Sequence, residues 1–216
     1  VVDEEGRVIG RITIDDVVDV IRDEGDNSFL RMAGLDAEED IFAPVLTVSR
    51  RRMVWLGVNL ATAFLAAWVI GLFEDALERL VALAVLMPVV ASMGGIAGSQ
   101  TLTVVIRGLA VGQVGYSNAG WIIGRELLVG LLNSSAWAVV VALIVAAWFP
   151  VPGLGIVIAV ALVVTLVIAA LTGAVLPLLL RRVRIDPALA GGVILTTVTD
   201  VVGFVTFLGL GAVFLL

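Results

Sequence analysis

One acidic residue lies well inside an apolar segment of this sequence. Asp200 sits in the run T-T-V-T-D-V-V-G, which ends at Gly203. A carboxylate at membrane depth costs roughly a few kcal/mol or more, so it indicates a functional site. Thr196, Asp200 and Gly203 are spaced i, i+4 and i+7 and share one helix face, which Gly192 extends by one turn. The pattern predicts a pore wall with one carboxylate. The alternative is that Asp200 is protonated, or hydrogen-bonds a neighbouring helix as a packing contact.

A second apolar segment, Leu80 to Ile106, carries proline, glycine and hydroxyl side chains that predict a complementary wall. The positions concerned are Pro88, Ser92, Gly94, Gly95 and Ser99. The proline frees a backbone carbonyl, and the glycines permit close approach or local unwinding. Broken helices are tolerated at membrane depth where they line a cavity, and their carbonyls coordinate cations. Helix packing through small residues explains the pattern equally well by itself. Together with Asp200, the cavity is favoured.

The residue types that are absent limit the chemistry. The chain has no His, no Cys and no Lys. A His-containing hydrolase triad, a Lys Schiff base and thiolate chemistry are therefore excluded, and we predict that the chain is not an enzyme. The available ligands are oxygens, which suit Mg²⁺, Ca²⁺, Mn²⁺ or an alkali ion. Mg²⁺ keeps several waters and takes only one or two carboxylates, a number that two Asp200 side chains in a symmetric dimer would supply.

The elements that position these residues are predicted to be transmembrane helices. Of the 216 residues 61% are hydrophobic and 15% charged, and the mean hydropathy is +1.15. This composition is typical of an all-α integral membrane protein. Spans of about 20 apolar residues are needed. Five are predicted, at Met53–Phe73, Leu80–Ile106, Leu127–Phe149, Ile156–Leu180 and Gly191–Leu216.

Arginine placement predicts the orientation of the spans. Eight arginines lie directly before the first span, at 50–52, or in the second-to-third and fourth-to-fifth loops, against only Arg79 in the opposite loops. The N-terminus is therefore expected to be cytoplasmic and the C-terminus extracytoplasmic. Between the second and third spans, the segment Arg107–Glu126 suggests a short interfacial helix, and Arg125 and Glu126 are interpreted as an interfacial ion pair.

The net charge of −6 belongs to residues 1–52, which hold 13 acids and 7 arginines. Residues 1–12 are predicted to form two short strands, and Thr13 to about Glu24 a helix with a T-x-x-D capping pattern. Residues 29–50 should include a helix that leads to the membrane. Because the chain begins with Val1 instead of Met, we expect it to be part of a longer protein.

Three stretches resemble the MgtE family of magnesium channels. They are M-P-V-V-A-S-M-G-G-I-A-G-S-Q-T-L-T-V-V-I-R-G-L-A (87–110), D-P-A-L-A…T-T-V-T-D-V-V-G (186–203) and R-R-R-M-V-W-L (50–56). The run V-D-E-E-G-R-V-I-G-R-I-T-I-D-D-V-V-D-V-I (2–21) is similar to the closing part of a CBS domain. The resemblance implies an α+β end of a CBS domain over residues 1–25, a connecting (plug) helix over 26–52 and a five-helix pore domain over 53–216.

The resemblance also implies a function: a homodimeric, Mg²⁺-selective channel in the plasma membrane. Its second and fifth spans line the pore, and cytosolic Mg²⁺ closes it. The family's pore carboxylate falls on Asp200, and its other metal positions fall near Thr196 and at Gly94–Gly95. Regulatory Mg²⁺ sites fall on Asp16, Asp19 and Glu24; the alternative is that Asp16, Asp19 and Asp23 form a solvated helix face with capping acids. Where the family has Asn after the paired glycines, this chain has Ile96, so selectivity or conductance is expected to differ.

Other functions remain open on the residues alone. An ion-coupled secondary carrier would use Asp200 to bind a proton or Na⁺. A structural membrane scaffold would use it as a packing contact. An intramembrane aspartyl protease needs two membrane Asp residues, and a serine protease needs a base that this chain lacks. We therefore expect a Mg²⁺ channel or transporter, with the carrier as the alternative.

Overall fold

The computed structural model describes residues 4–35, 42–115 and 117–216, except for the side chains of 24, 26 and 28. Over these residues the chain is all-α. The helices in these ranges are α1 Ile14–Met32, α2 Val45–Gly71, α3 Glu74–Arg79, α4 Val81–Ala110, α5 Ala119–Trp148, α6 Leu154–Arg182 and α7 Pro187–Phe214.

Five of these helices, α2 and α4 to α7, are long and apolar enough to cross a membrane, which confirms the five predicted spans. Their bounds differ most from the predicted ones at two places. Helix α2 begins eight residues earlier, directly after Pro44, because proline is favoured at helix starts and arginine is a good helix former. Helix α5 begins at Ala119, so the prediction of a separate interfacial helix over residues 107–126 is wrong.

The N-terminal residues differ most from expectation. Among residues 4–12 the structure has a turn and an isolated bridge at Val8 but no strand, so the predicted α+β fold of this fragment is wrong for the described residues and a CBS fragment is not shown there. A lone pair of short strands is at best marginally stable, and residues 4–12 are exposed. The capping prediction is confirmed, since the Asp16 carboxylate accepts the Thr13 N–H at 2.8 Å and the Thr13 hydroxyl at 2.6 Å.

The predicted connecting helix over residues 26–52 is interrupted. Helix α1 ends at Met32 in a Schellman turn, in which the Gly34 N–H donates to the Arg31 carbonyl and the Leu35 N–H to the Leu30 carbonyl. Gly34 has a φ of 74°, which glycine adopts without steric cost. Residues 36–41 lie outside the described set, and α2 follows from Val45.

Helix α6 is the centre of the bundle and packs against α4, α5 and α7. It carries many of the fully buried side chains, among them Ile158, Leu162 and Ala169. Helix α7 additionally contacts α2 and α1. The two helices that carry the candidate site, α4 and α7, are therefore both held against α6.

Helices α4 and α7 run antiparallel and in close contact, because glycines alternate with large side chains along their interface. A Cβ added at Gly98 would lie 2.8 Å from Leu195, one at Gly191 3.2 Å from Leu102, and one at Gly211 2.8 Å from Leu83. Small residues at helix interfaces let two backbones approach closely in a membrane. This register places Asp200 beside the middle of α4.

Candidate ion-binding site

Asp200 lies in the middle of α7 and is half-buried. Its neighbour Thr199 is fully buried, and a Cβ added at Gly94 of α4 would lie 3.5 Å from the Thr199 Cβ. Asp200 is therefore level with the Gly94–Gly95 pair of α4. No hydrogen bond or ion pair with another described residue reaches its carboxylate. Within the described chain, Asp200 is not a hydrogen-bonded packing contact.

The residues predicted to line the site divide into two groups. The first group faces open space. Pro88, Ser92 and Ser99 are exposed along one side of α4, and Thr196 and Gly192 are partly exposed along α7. At Gly95 and Gly192 an added Cβ would meet nothing within 4 Å. Both predicted faces are therefore partly open among the residues that the structure describes.

The second group packs between helices. A Cβ at Gly94 would lie 2.7 Å from the Thr165 Cγ2 of α6, and one at Gly203 would lie 3.1 Å from Val90. Gly203 therefore lies against α4 and α6, to the side of the face that Thr196 and Asp200 share. These two glycines allow three helices to meet directly behind Asp200.

The unwinding considered for the second span is not observed. Helix α4 continues through Pro88 and through Gly94–Gly95 without a break. The glycines serve close packing instead, since Gly94 and Gly98 both lie where a side chain would collide with α6 or α7. At Gly95 the backbone carbonyl accepts the Ser99 hydroxyl at 2.8 Å. The proline leaves the Ala84 carbonyl without its helical donor.

A cavity of about 370 Å³ brings Ser99, Gly192 and Thr196 together. Its other walls come from the C-terminal turn of α1 and from α2, where Asn59 and Arg52 contribute polar groups. Thr196 turns its hydroxyl back to the Gly192 and Val193 carbonyls at 3.1 Å each. Asp200 lies one helical turn beyond Thr196, where the lining of the cavity along α7 ends.

The N-terminus of α7 is fixed by Asp186 at the same end as this cavity. Asp186 Oδ1 accepts the Ala188 N–H at 2.9 Å, with Pro187 in the first turn, as the sequence predicts. Asp186 Oδ2 also accepts a hydrogen bond from Arg31 Nη1 at 2.9 Å. This ion pair ties the last turn of α1 to the helix that carries Asp200.

A family comparison identifies the chain. The sequence profile described as "MgtE: Divalent cation transporter" matches residues 87–210, which include α5, α6 and all of the candidate site. The chain belongs to the MgtE family.

Curated relatives agree with this membership. The chain is 32% identical over 215 residues to "Magnesium transporter MgtE" of Bacillus subtilis and 33% identical over 217 residues to the protein of the same name from Thermus thermophilus. A third, from Enterococcus faecalis, is 31% identical over 215 residues. Each match covers 100% of this chain but only 48%, 48% and 47% of these relatives, so this MgtE chain spans about half their length.

The structure describes the side chains of two of the three acidic residues predicted as regulatory sites, Asp16 and Asp19. Among the described residues, no three acidic side chains lie close enough together to hold a metal ion. The Asp16 carboxylate caps α1, Asp19 is exposed, and the side chain of Glu24 lies outside the described set. The capping geometry is a sufficient structural role for Asp16. Ile96, the departure from the family pattern, is 58% exposed on α4.

Sequence reasoning missed one membrane carboxylate. Glu126, interpreted as half of an interfacial pair, lies two turns inside α5 with its side chain only 8% exposed. It accepts hydrogen bonds from Arg125 Nη1 at 2.7 Å and, at 3.3 Å, from the hydroxyl of Thr101 on α4. The signal available in the sequence was the apolar run Trp121–Gly124 before Arg125, which permits α5 to begin earlier than Leu127.

Proposed function

We propose that this chain forms the transmembrane part of a Mg²⁺ transporter, with Asp200 as the carboxylate that the permeating ion meets. The observation that supports this proposal best is the half-buried Asp200 carboxylate in the middle of an apolar helix, which has no hydrogen-bond or ion-pair partner among the described residues. A membrane carboxylate without an internal partner is costly and indicates an ion pathway. The names of the curated relatives point to Mg²⁺ as the ion.

The proposed pore lies between two copies of the chain, with α4 and α7 of each protomer facing it. The open faces along Pro88, Ser92 and Ser99 and along Gly192 and Thr196 support this arrangement, because a partner protomer would enclose them. Mg²⁺ retains water and binds through one or two carboxylates, so paired Asp200 side chains with nearby Thr196 and Gly95 oxygens suit it. The protein chain supplies only oxygen ligands there, which disfavours Zn²⁺ and Cu²⁺.

The orientation and the gating belong to the same proposal. The excess of arginines at the α4–α5 and α6–α7 connections supports a cytoplasmic N-terminus in the plasma membrane. The last turn of α1 lines the cavity that leads to Thr196, so a movement of α1 would change access to it. In the full-length protein, cytosolic Mg²⁺ acting on the acidic residues ahead of α2 would favour closure.

Replacement of Asp200 tests the function. Asp200→Asn and Asp200→Ala variants are reconstituted in liposomes beside Asp75→Asn, an exposed acid of the short helix α3. Mg²⁺ influx should fall by about tenfold or more in both Asp200 variants, since a charge-assisted contact at the ion is lost, and stay unchanged in the control. Full Mg²⁺ influx in a folded Asp200→Ala protein would refute the assignment. Single-channel currents in the same membranes would favour a channel over an ion-coupled carrier.

Cross-linking tests the dimeric pore. The chain has no native Cys, so single cysteines report one contact each. Ser99→Cys, on the open face of α4, should give a disulfide-linked dimer on mild oxidation. Ser135→Cys, exposed on α5, is the matched control and should stay monomeric. The opposite result, with dimers formed only through position 135, would place the interface elsewhere.

A further inference from the structure

Glu126 joins two membrane helices through its two carboxylate oxygens. Oε1 accepts from Arg125 Nη1 on its own helix, and Oε2 accepts from Thr101 Oγ1 on α4. The Arg125 side chain is 54% exposed, whereas that of Glu126 is only 8% exposed. The Glu126 carboxylate therefore lies inside the helix bundle, where a charge without a partner would be strongly unfavourable.

The Thr101–Glu126 hydrogen bond lies beside a cavity between α4 and α5. Helices α4 and α5 are both packed closely on α6. A Cβ added at Gly173 would lie 2.7 Å from the Gly98 carbonyl oxygen, and one at Gly130 would lie 2.7 Å from Ala170. Between α4 and α5 lies a cavity of about 260 Å³, whose lining includes Thr101 and Glu126. The Thr101–Glu126 hydrogen bond therefore links α4 to α5 beside this cavity, in addition to the packing of both helices on α6.

Thr101 occupies a defined position relative to the candidate pore. It follows Ser99 by two residues on α4, so the two side chains point about 200° apart, almost to opposite sides of the helix. Ser99 is exposed on the face that continues to Gly95, whereas Thr101 is buried. A displacement of Thr101 toward the cavity therefore shifts or rotates the face that carries Ser99 and Gly95.

From this geometry we infer that Glu126 is a positioning residue for transport. Through Thr101 it holds the Gly95–Ser99 segment of α4 opposite Asp200. The inference rests on the proposed function, because it concerns the wall of the same pore. Glu126 itself does not touch the ion. Its effect on flux passes through the hydroxyl of Thr101, and removal of either partner should have the same consequence.

The test compares substitutions that separate the hydrogen bond from packing. Thr101→Val keeps the shape of the side chain and removes the hydroxyl, while Thr101→Ser keeps the hydroxyl and removes a methyl group. Glu126→Gln removes the charge at nearly constant shape. Ser134→Ala is the control, since this buried hydroxyl bonds only to the Leu131 carbonyl of its own helix, at 3.0 Å. Mg²⁺ influx into liposomes is measured per folded protein, with the melting temperature in detergent recorded for each variant.

We expect Thr101→Val to lower Mg²⁺ influx about tenfold, the factor expected for loss of a hydrogen bond to a charged group. Glu126→Gln should lower it by about threefold to tenfold, because the amide oxygen still accepts from Thr101 but carries no charge. Thr101→Ser and Ser134→Ala should stay within about twofold of the wild type, and the Glu126→Gln/Thr101→Val double variant should be no slower than the slower single variant. A purely structural role would lower melting temperatures and leave influx per folded protein unchanged.

The outcomes distinguish this inference from the proposed function. If Asp200→Ala abolishes influx while Thr101→Val and Thr101→Ser transport equally well, the positioning role is wrong and the pore assignment stands. If the effects of Glu126→Gln and Thr101→Val multiply, the two residues act independently and the inference is again overturned. If Asp200→Ala transports normally, the proposed function fails and the inference fails with it. Should Glu126→Gln not fold, the Thr101 pair decides alone.

Discussion

Replacing Gly173 by Ala should separate two membrane helices that meet at backbone distance. A Cβ at this position of α6 would lie 2.7 Å from the Gly98 carbonyl oxygen, 3.0 Å from the Thr101 Cβ and 3.1 Å from the Leu102 backbone nitrogen. Two of these three atoms belong to the backbone of α4, so no rotamer change relieves the contact. The helices themselves must move.

The size of the effect follows from the distance. Ordinary van der Waals contact begins near 3.4 Å, so the helices must separate by about 0.7 Å at this level. A gap of that size loses about a quarter to a half of each dispersion contact across the interface. Overpacking of this kind costs about 1–3 kcal/mol, and the better helix propensity of Ala returns up to about 1 kcal/mol. We expect a net loss of about 1–2 kcal/mol.

Thermal unfolding in detergent measures the prediction. For a chain of this size the expected loss corresponds to a fall in Tm of roughly 2–8 °C. The matched control is Gly124→Ala on α5, where an added Cβ meets nothing within 4 Å, so its Tm should stay the same or rise. If Gly173→Ala melts at or above the wild-type temperature, α4 and α6 are not held at backbone contact and the reasoning is wrong.

Two further predictions concern polar groups. Thr165 is fully buried, and its hydroxyl has no hydrogen-bond partner among the described residues. Thr165→Val should therefore leave the free energy of unfolding unchanged or raise it by about 1 kcal/mol. A loss of stability in denaturant titration would show that the hydroxyl has a partner. The Thr13 hydroxyl and N–H hold the pKa of Asp16 below its ordinary value of 3.8. A lowered carboxyl pKa stabilises the folded state above the ordinary value, and this contribution is lost as the pH falls through the folded-state value. The protection factors of the α1 amides, taken relative to the intrinsic exchange rate at each pH, should therefore fall at acid pH in the wild type. In Asp16→Asn they should already be lower at neutral pH and fall no further in acid. Equal protection in both proteins at neutral pH would contradict the capping role.

The candidate site could be predicted only in part, because some of its residues are set by their spacing along one helix and others by packing between helices. Asp200, Thr196 and Gly192 follow from spacing along one helix, and the structure keeps them on one partly open face. Gly203 was assigned to that face by the same spacing, yet it packs against Val90. At 100° per residue Gly203 lies within the stripe, between Gly192 and Thr196, so its burial comes from the helices that pack at its level along α7, which the spacing does not specify.

The sequence by itself determined the five membrane helices, the α7 cap at Asp186 and the candidate carboxylate Asp200. Hydropathy, capping and the cost of a membrane charge act within one segment. The tertiary structure decided that α4 stays continuous through Gly94, that Gly173 meets α4 at backbone distance, and that Glu126 is buried against Thr101. These features are contacts between helices far apart in the chain, and no local pattern specifies which helix lies opposite a glycine or a carboxylate.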